Sequence, residues 1–284
     1  MAQAGTDALK GEDWAGEMGE RWLASLDRFE GMIAPIGAAL LERAAYQPGE
    51  RVIDLGCGGG ATTLAIAEIV GPKGVALGLD VAPMLVDRAQ ERAVAAGSPA
   101  RFICADAATS MLGEEPFDRL FSRFGSMFFD APVHAFANLK AMLKPGARID
   151  LAVWAHPRDN LWMMEVMGVV RSHVDIPPAV PRAPGPFAFE DLSYLAEVLS
   201  GAGFTGMEVT AFEGLQPVGG AGALPQEATD FVLTSMAAGR VLAEQGDAVR
   251  DAAQADLVAM FTRHYRPGEG VMLACKAWLV TAHA

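Results

Sequence analysis

Apolar residues recur every fourth position near the start of the chain: Trp14, Met18, Trp22 and Leu26, with Phe29 next on the stripe. That period predicts a helix from Asp13 onward. Ile33, Ile36, Leu40 and Leu41 predict a second over residues 31–45. Residues 1–12 are small and polar and are expected to form a loose terminus. After the turn Pro48-Gly49-Glu50, short apolar runs alternate with longer helical ones. Strands are expected at 52–55, 75–79, 100–104, 117–121, 148–154, 206–212 and 271–282. Helices are expected at 61–70, 83–96, 132–143, 160–174, 191–199, 226–245 and 247–264, and a loop at 214–222. Strands alternating with helices specify an α/β fold. Between 177 and 186 five prolines stand close together, which forbids regular structure and makes a stiff connection.

The most informative stretch is Val52-Ile53-Asp54-Leu55-Gly56-Cys57-Gly58-Gly59-Gly60, a strand running into a glycine loop ahead of a helix. The turn needs backbone angles closed to other residues, and a missing Cβ lets a ligand approach the main chain. The N–H groups at the helix start would then attract a polar or anionic group. Gly56-x-Gly58-x-x-Ala61 also fits nicotinamide and flavin binders. Asp54 separates the readings, because a carboxylate at a buried strand end needs a partner, and a ligand offering amino or hydroxyl donors would supply one. Asp80 closes the next strand, twenty residues past Gly60. An acid there accepts from ribose hydroxyls in dinucleotide folds; the alternative is a cap on the helix that Pro83 opens.

Composition narrows the class. Half of the 284 residues are hydrophobic (51%), enough for a substantial core. Lys and Arg number 22 and Asp and Glu 35, a net charge of −13 that argues against nucleic acid and anionic membranes. Cys57, Cys104 and Cys275 are widely spaced and form neither a metal-type pair nor a disulfide pattern, so a reducing compartment is expected and no metal. With no signal-peptide pattern and no run of roughly 20 apolar residues, a cytoplasmic protein is expected.

The first motif resembles that of the class I S-adenosylmethionine-dependent methyltransferases, the ubiquinone/menaquinone-type and natural-product small-molecule enzymes in particular. Their apolar strand, acid, apolar residue and Gly-x-Gly-x-Gly stand here as Asp54, Leu55, Gly56, Gly58 and Gly60. Leu143-Lys144-Pro145-Gly146-Ala147 is similar to their L-x-P-G-G turn, with Ala for the last Gly, and Gly203-Phe204 to the pair before their sixth strand. The resemblance implies a Rossmann-like seven-stranded sheet flanked by helices, the last strand antiparallel between the fifth and sixth. It implies one domain: an N-terminal helical lid (1–45), a cofactor-binding half (46–155), an insertion and return helix (156–203) and the remainder of the sheet (204–284). The cofactor would be S-adenosylmethionine, leaving as S-adenosylhomocysteine. Its expected contacts are Asp54, Gly56, Cys57, Gly58 and Gly60 at the loop, Asp80, Val81 and Met84 at the second strand, and Ser122. Asp106 would take the adenine amino group, with Ala107 beside the ring; a turn aspartate is the alternative. The acceptor pocket would involve Trp22, Arg123, Phe124, Met127, Trp154 and Trp162, with Phe124 a candidate to face the sulfonium. Phe128 and Phe129 are expected in the core.

Methyl transfer from a sulfonium depends chiefly on alignment, worth on the order of 7–11 kcal/mol. Where a base is needed, His156, two residues past the fifth strand, is the best placed; Glu165 and His134 have less to recommend them. A phosphate loop, a Gly-x-Ser-x-Gly elbow, a His-Glu-x-x-His helix and the Asn/Asp-Pro-Pro-Tyr/Phe motif are all absent from the sequence. The partner expected is a small, apolar or aromatic acceptor, the protein acting as monomer or homodimer. A non-catalytic protein of the same fold and an NAD(P)-dependent oxidoreductase remain as alternatives.

Overall fold

The structure, a computed structural model, describes residues 13–284; the expectation for 1–12 lies outside them. Five parallel strands form its centre: β1 (Arg51–Leu55), β2 (Val75–Asp80), β3 (Arg101–Cys104), β4 (Phe117–Arg123) and β5 (Leu143–Trp154). The sheet continues with β6 (Thr205–Pro217) and β8 (Gly270–His283) in the order β3-β2-β1-β4-β5-β8-β6. β8 runs antiparallel between β5 and β6. A two-residue strand, β7 (Tyr265–Arg266), folds back on β8. The α/β sheet with an inserted antiparallel last strand is therefore as expected.

Helices cover both faces. α1 (Glu17–Ala24) and α2 (Leu26–Ala44) precede the sheet. α3 (Ala61–Val70), α4 (Pro83–Ala96) and α5 (Pro132–Ala141) join the parallel strands. α6 (Leu161–His173), α7 (Leu192–Gly201), α8 (Pro225–Ser235), α9 (Ala237–Ala243) and α10 (Asp247–His264) follow. The core is continuous from Ile36 and Leu40 of α2 through Ile53, Leu77 and Phe121 to Phe261 of α10. No helix among the described residues is long and apolar enough to cross a membrane.

Four boundaries differ from the pattern, each for a tertiary reason. Asp13–Gly16 is a turn, and the helices meet at Ser25, whose hydroxyl bonds that of Ser235 at 2.7 Å, so α2 begins at Leu26 rather than 31. β5 begins at Leu143, which pairs with Phe117; the ladder then bulges through Gly146 (φ 77°) and resumes with Arg148 opposite Arg119. The expected turn is thus a bulge within a strand. β6 runs on to Pro217 because Leu215 and Gln216 find partners in Ala274 and Leu273, leaving a shorter loop. The single helix expected at 226–245 is two, broken at Met236, whose backbone is extended (ψ 165°).

Candidate active site

The carboxyl ends of parallel strands open onto the ligand crevice in this class of sheet. Here those of β1, β2 and β4 meet in a cavity of about 470 Å³. One part of its wall is polar: Gly56, Cys57, Gly58, Asp80, Val81, Asp106 and Ala107. The rest is mainly apolar and aromatic, with Trp14, Trp22 and Phe29 from the N-terminal segment, Phe124, Met127, Phe128 and Phe129 after β4, and Trp154 and Trp162; Asp13, Glu30, Arg123 and Ser235 are its polar members.

The glycine loop is built for three different reasons. Gly56 (φ 67°) packs on Gly125: a Cβ on Gly56 would stand 2.7 Å from the Gly125 Cα. Gly60 (φ 83°) is closed by Ala89 and the Phe102 ring, each 2.8 Å from a Cβ there. Only Gly58 (φ 53°) faces open space, its nearest neighbour being Trp22 Nε1 at 3.7 Å. The expected approach of a ligand to bare backbone is therefore possible at one glycine of the three. Gly58 N–H also donates to Asp80 Oδ2 at 2.8 Å, and Ala82 N–H to Asp80 Oδ1 at 3.0 Å. These bonds fix the carboxylate on the cavity wall, although burial raises its pKa. Asp106 accepts from Ala108 N–H at 2.8 Å and Thr109 Oγ1 at 2.9 Å. It is a turn-former and a wall residue at once.

Five expected contacts are off the cavity wall. Asp54 is fully buried behind the loop, and its Oδ2 accepts from Thr62 and Thr63 hydroxyls, both at 2.7 Å. The partner inferred for it is thus first of all the start of α3, not a ligand. Its Oδ1 has no partner among the described residues. Burial pushes this carboxyl up to about 6, while the two hydroxyls and the charge of Arg123 hold it down. Ser122 is buried and donates to Leu55 O at 2.9 Å, stapling β4 to β1. Gly60 is enclosed, and Met84 lies in a separate cleft between α1, α2 and α4. His156 is exposed, and its Nδ1 accepts from Arg158 N–H at 3.1 Å, capping the turn Pro157–Asp159. Glu165 and His264 pair at 2.8 Å, and no histidine lines the cavity among the described residues.

The aromatic wall is layered. Trp22 stacks on Phe29 (3.9 Å between centroids) and Trp14 meets Phe128 edge-on at 4.9 Å. Phe124 stacks on Trp154 at 4.2 Å, and Trp154 leans on Trp162 at 5.1 Å. Phe124 adopts a left-handed backbone (φ 68°), a strain that concentrates at functional sites. Phe128 and Phe129, expected in the core, are half-buried wall residues. The sequence reading missed Met32 and Ile33 of α2 as wall residues, and Ser235, Met236 and Ala237 at the α8–α9 break. The α2 stripe carried the first signal; the break has none, since only distant packing interrupts that helix.

Residues 52–146 match the family described as "Methyltransferase domain". Aklanonic acid methyltransferase DauC of Streptomyces sp. (strain C5) is 33% identical over 116 residues, 40% of this chain and 53% of that one. Nocamycin O-methyltransferase of Saccharothrix syringae is 33% identical over 119 residues, 41% and 42% of the two chains. The chain thus spans about half the length of these relatives. A putative methyltransferase from Bacillus halodurans C-125, solved by crystallography, has the same fold: TM-score 0.56, 17% identity, 87% of this chain and 97% of that one. Residues 52–146 thus match a methyltransferase domain, and the sheet that contains them has the fold of a solved putative methyltransferase.

Proposed function

We propose that the protein transfers a methyl group from S-adenosylmethionine to a small apolar or aromatic acceptor. The observation that carries this is the division of one cavity into a polar part, with Asp80 beside the one open glycine, and an aromatic part. The donor supplies an electrophilic methyl carbon on a positively charged sulfur. Asp80 would hold its ribose hydroxyls, the Asp106-Ala107 turn its adenine, and the Gly58 backbone its amino-acid portion. Asp54 acts from beneath the loop, holding the start of α3 in place and lending negative charge to a site for a cation. The aromatic wall orients the acceptor and excludes water, which strengthens every charge interaction inside.

In the transfer the acceptor's lone pair bonds the methyl carbon as the C–S bond breaks. The electron pair returns to sulfur and leaves a neutral thioether. Proximity supplies the greater part of the acceleration. The N-terminal helices, residues 156–190 and the 235–237 break serve as covers that decide which acceptor enters. The acid and the oxygen acceptor named for the two relatives support this reading of a mainly apolar cavity with few polar points. Calorimetric titration with S-adenosylhomocysteine and with NAD tests the reading: the first binds and the second is silent. NAD binding without S-adenosylhomocysteine binding would overturn it. Incubation with methyl-labelled donor and a panel of apolar acids and phenols then separates an enzyme, which labels one of them, from a binding protein, which labels none.

A further inference from the structure

The cavity contains a cation with which none of the wall carboxylates, Asp13, Glu30, Asp80 and Asp106, forms a hydrogen bond. Among its lining residues only Arg123 is basic. Arg123 closes β4 and lies against α2, where a Cβ on Gly37 would come within 2.8 Å of its Nη1. Among the described residues no hydrogen bond, ion pair or ring contact engages the guanidinium. Nor are its nitrogens sealed from the cavity. The two acids that oppose its loss of charge are Asp54 and Glu30. Neither hydrogen-bonds it: Asp54 Oδ2 accepts from two threonine hydroxyls while its Oδ1 has no partner among the described residues, and Glu30 pairs with Arg92 at 2.8 Å. A guanidinium part-withdrawn from water without a hydrogen-bonded partner is costly, and the attraction of Asp54 and Glu30 offsets that cost only in part. The wall carries Phe124, next to it in the chain, and from α2 both the apolar Ile33 and the carboxylate of Glu30.

We propose that Arg123 is the receptor for a carboxylate on the acceptor, so that the preferred substrates are apolar or aromatic acids bound as anions. The planar fork of a guanidinium matches a carboxylate in two parallel hydrogen bonds. An acid held there reaches the methyl donor already ionised, so no base is required on the wall, and none of the chain's described histidines stands there. The inference rests on the methyl-transfer reading of the cavity, and its test keeps the two apart.

The experiment titrates 2-naphthoate and 2-naphthamide into the full chain saturated with S-adenosylhomocysteine. The wild type is expected to prefer the acid by about tenfold or more, the scale of a charge-assisted pair. Arg123→Gln abolishes the preference while S-adenosylhomocysteine affinity stays within about twofold. Arg123→Lys restores part of it. Gly37→Ala, which displaces the guanidinium without deleting it, weakens it as well, in a helix that alanine favours. Absence of preference in the wild type, or its survival in Arg123→Gln, overturns the proposal. So does an Arg123→Gln protein that loses S-adenosylhomocysteine but keeps 5′-methylthioadenosine, which lacks a carboxylate; the guanidinium would then belong to the donor. Failure of the wild type to bind S-adenosylhomocysteine at all would instead overturn the methyl-transfer reading, and this inference with it.

Discussion

Two arginines sit on one face of β4, four residues apart, and their surroundings differ completely. Arg119 bonds Asp150 at 2.7 Å, Ala44 O at 2.7 Å and Glu50 at 3.3 Å, and lies over the Tyr46 ring. Asp150 is also held by Arg148. Burial lowers the Arg119 pKa most of any single cause, but the attraction and hydrogen bond of Asp150, with the charges of Tyr46 and Glu50, together outweigh it and raise that pKa. Two positions away, Asp54, Phe121 and Asp150 form one row of the sheet by register. Among the described residues, Asp54, equally buried, has only two hydroxyls on one oxygen, and Arg123 has no hydrogen bond, ion pair or ring contact. One end of this row is a finished ion network; the other is left with an open oxygen and an open cation beside a cavity. The fold supplies partners in full at Arg119 and Asp150, and at Arg123 it leaves the place that the proposed acceptor carboxylate would fill.

The largest expected effect comes from breaking the finished side. Arg119→Gln leaves buried Asp150 with Arg148 alone and should cost about 3 kcal/mol of unfolding free energy, the low end for breaking a buried pair, whereas Arg123→Gln should cost less than about 1 kcal/mol. Urea denaturation measures both, and equal losses would erase the distinction.

The open acid should next reveal itself through pH. Its folded pKa, about 6, lies above the ordinary carboxylate value, so its contribution is fully present below about pH 4 and lost as pH rises through 6. The stability of Asp54→Asn relative to wild type should therefore climb by about 3 kcal/mol between pH 3 and pH 7. A flat difference would show that Asp54 is as well partnered as Asp150.

Two substitutions sharpen the ligand side. Gly58→Val forces a branched residue into the left-handed region and fills the one open place in the loop. S-adenosylhomocysteine affinity should fall at least about a hundredfold, near 2.8 kcal/mol, with the fold retained by circular dichroism. Unchanged affinity would remove the loop from the site. Asp80→Ala should weaken the same titration by about tenfold, near 1.4 kcal/mol, through lost charge-assisted hydrogen bonds. An intact affinity would take Asp80 off the ribose.

The central half of the fold was legible because its signals are local. The strand into Gly56, the Pro83 start and Gly97 stop of α4, and the period of β1 and β2 act within a few residues of themselves. What misled was decided by distant contacts. Ser25 breaks a helix where it bonds Ser235, and β6 outruns its apolar pattern because β8 offers partners. Within the site, residue types announced Asp80 and the aromatics. Spacing could not show that Asp54 would turn to Thr62 and Thr63, or that His156 would cap its own turn. Nor could it tell Arg119 from Arg123, whose difference lies in what α2 and β5 bring to each.

The most direct measurement is a crystal structure with S-adenosylhomocysteine bound. Its ribose hydroxyls should lie about 2.5–3.0 Å from the Asp80 carboxylate, with the adenine at the Asp106-Ala107 turn and the sulfur toward the Phe124–Trp154 stack. A ligand found instead in the cleft beside Met84 and Arg88, or none held at saturating concentration, would contradict the assignment of this cavity.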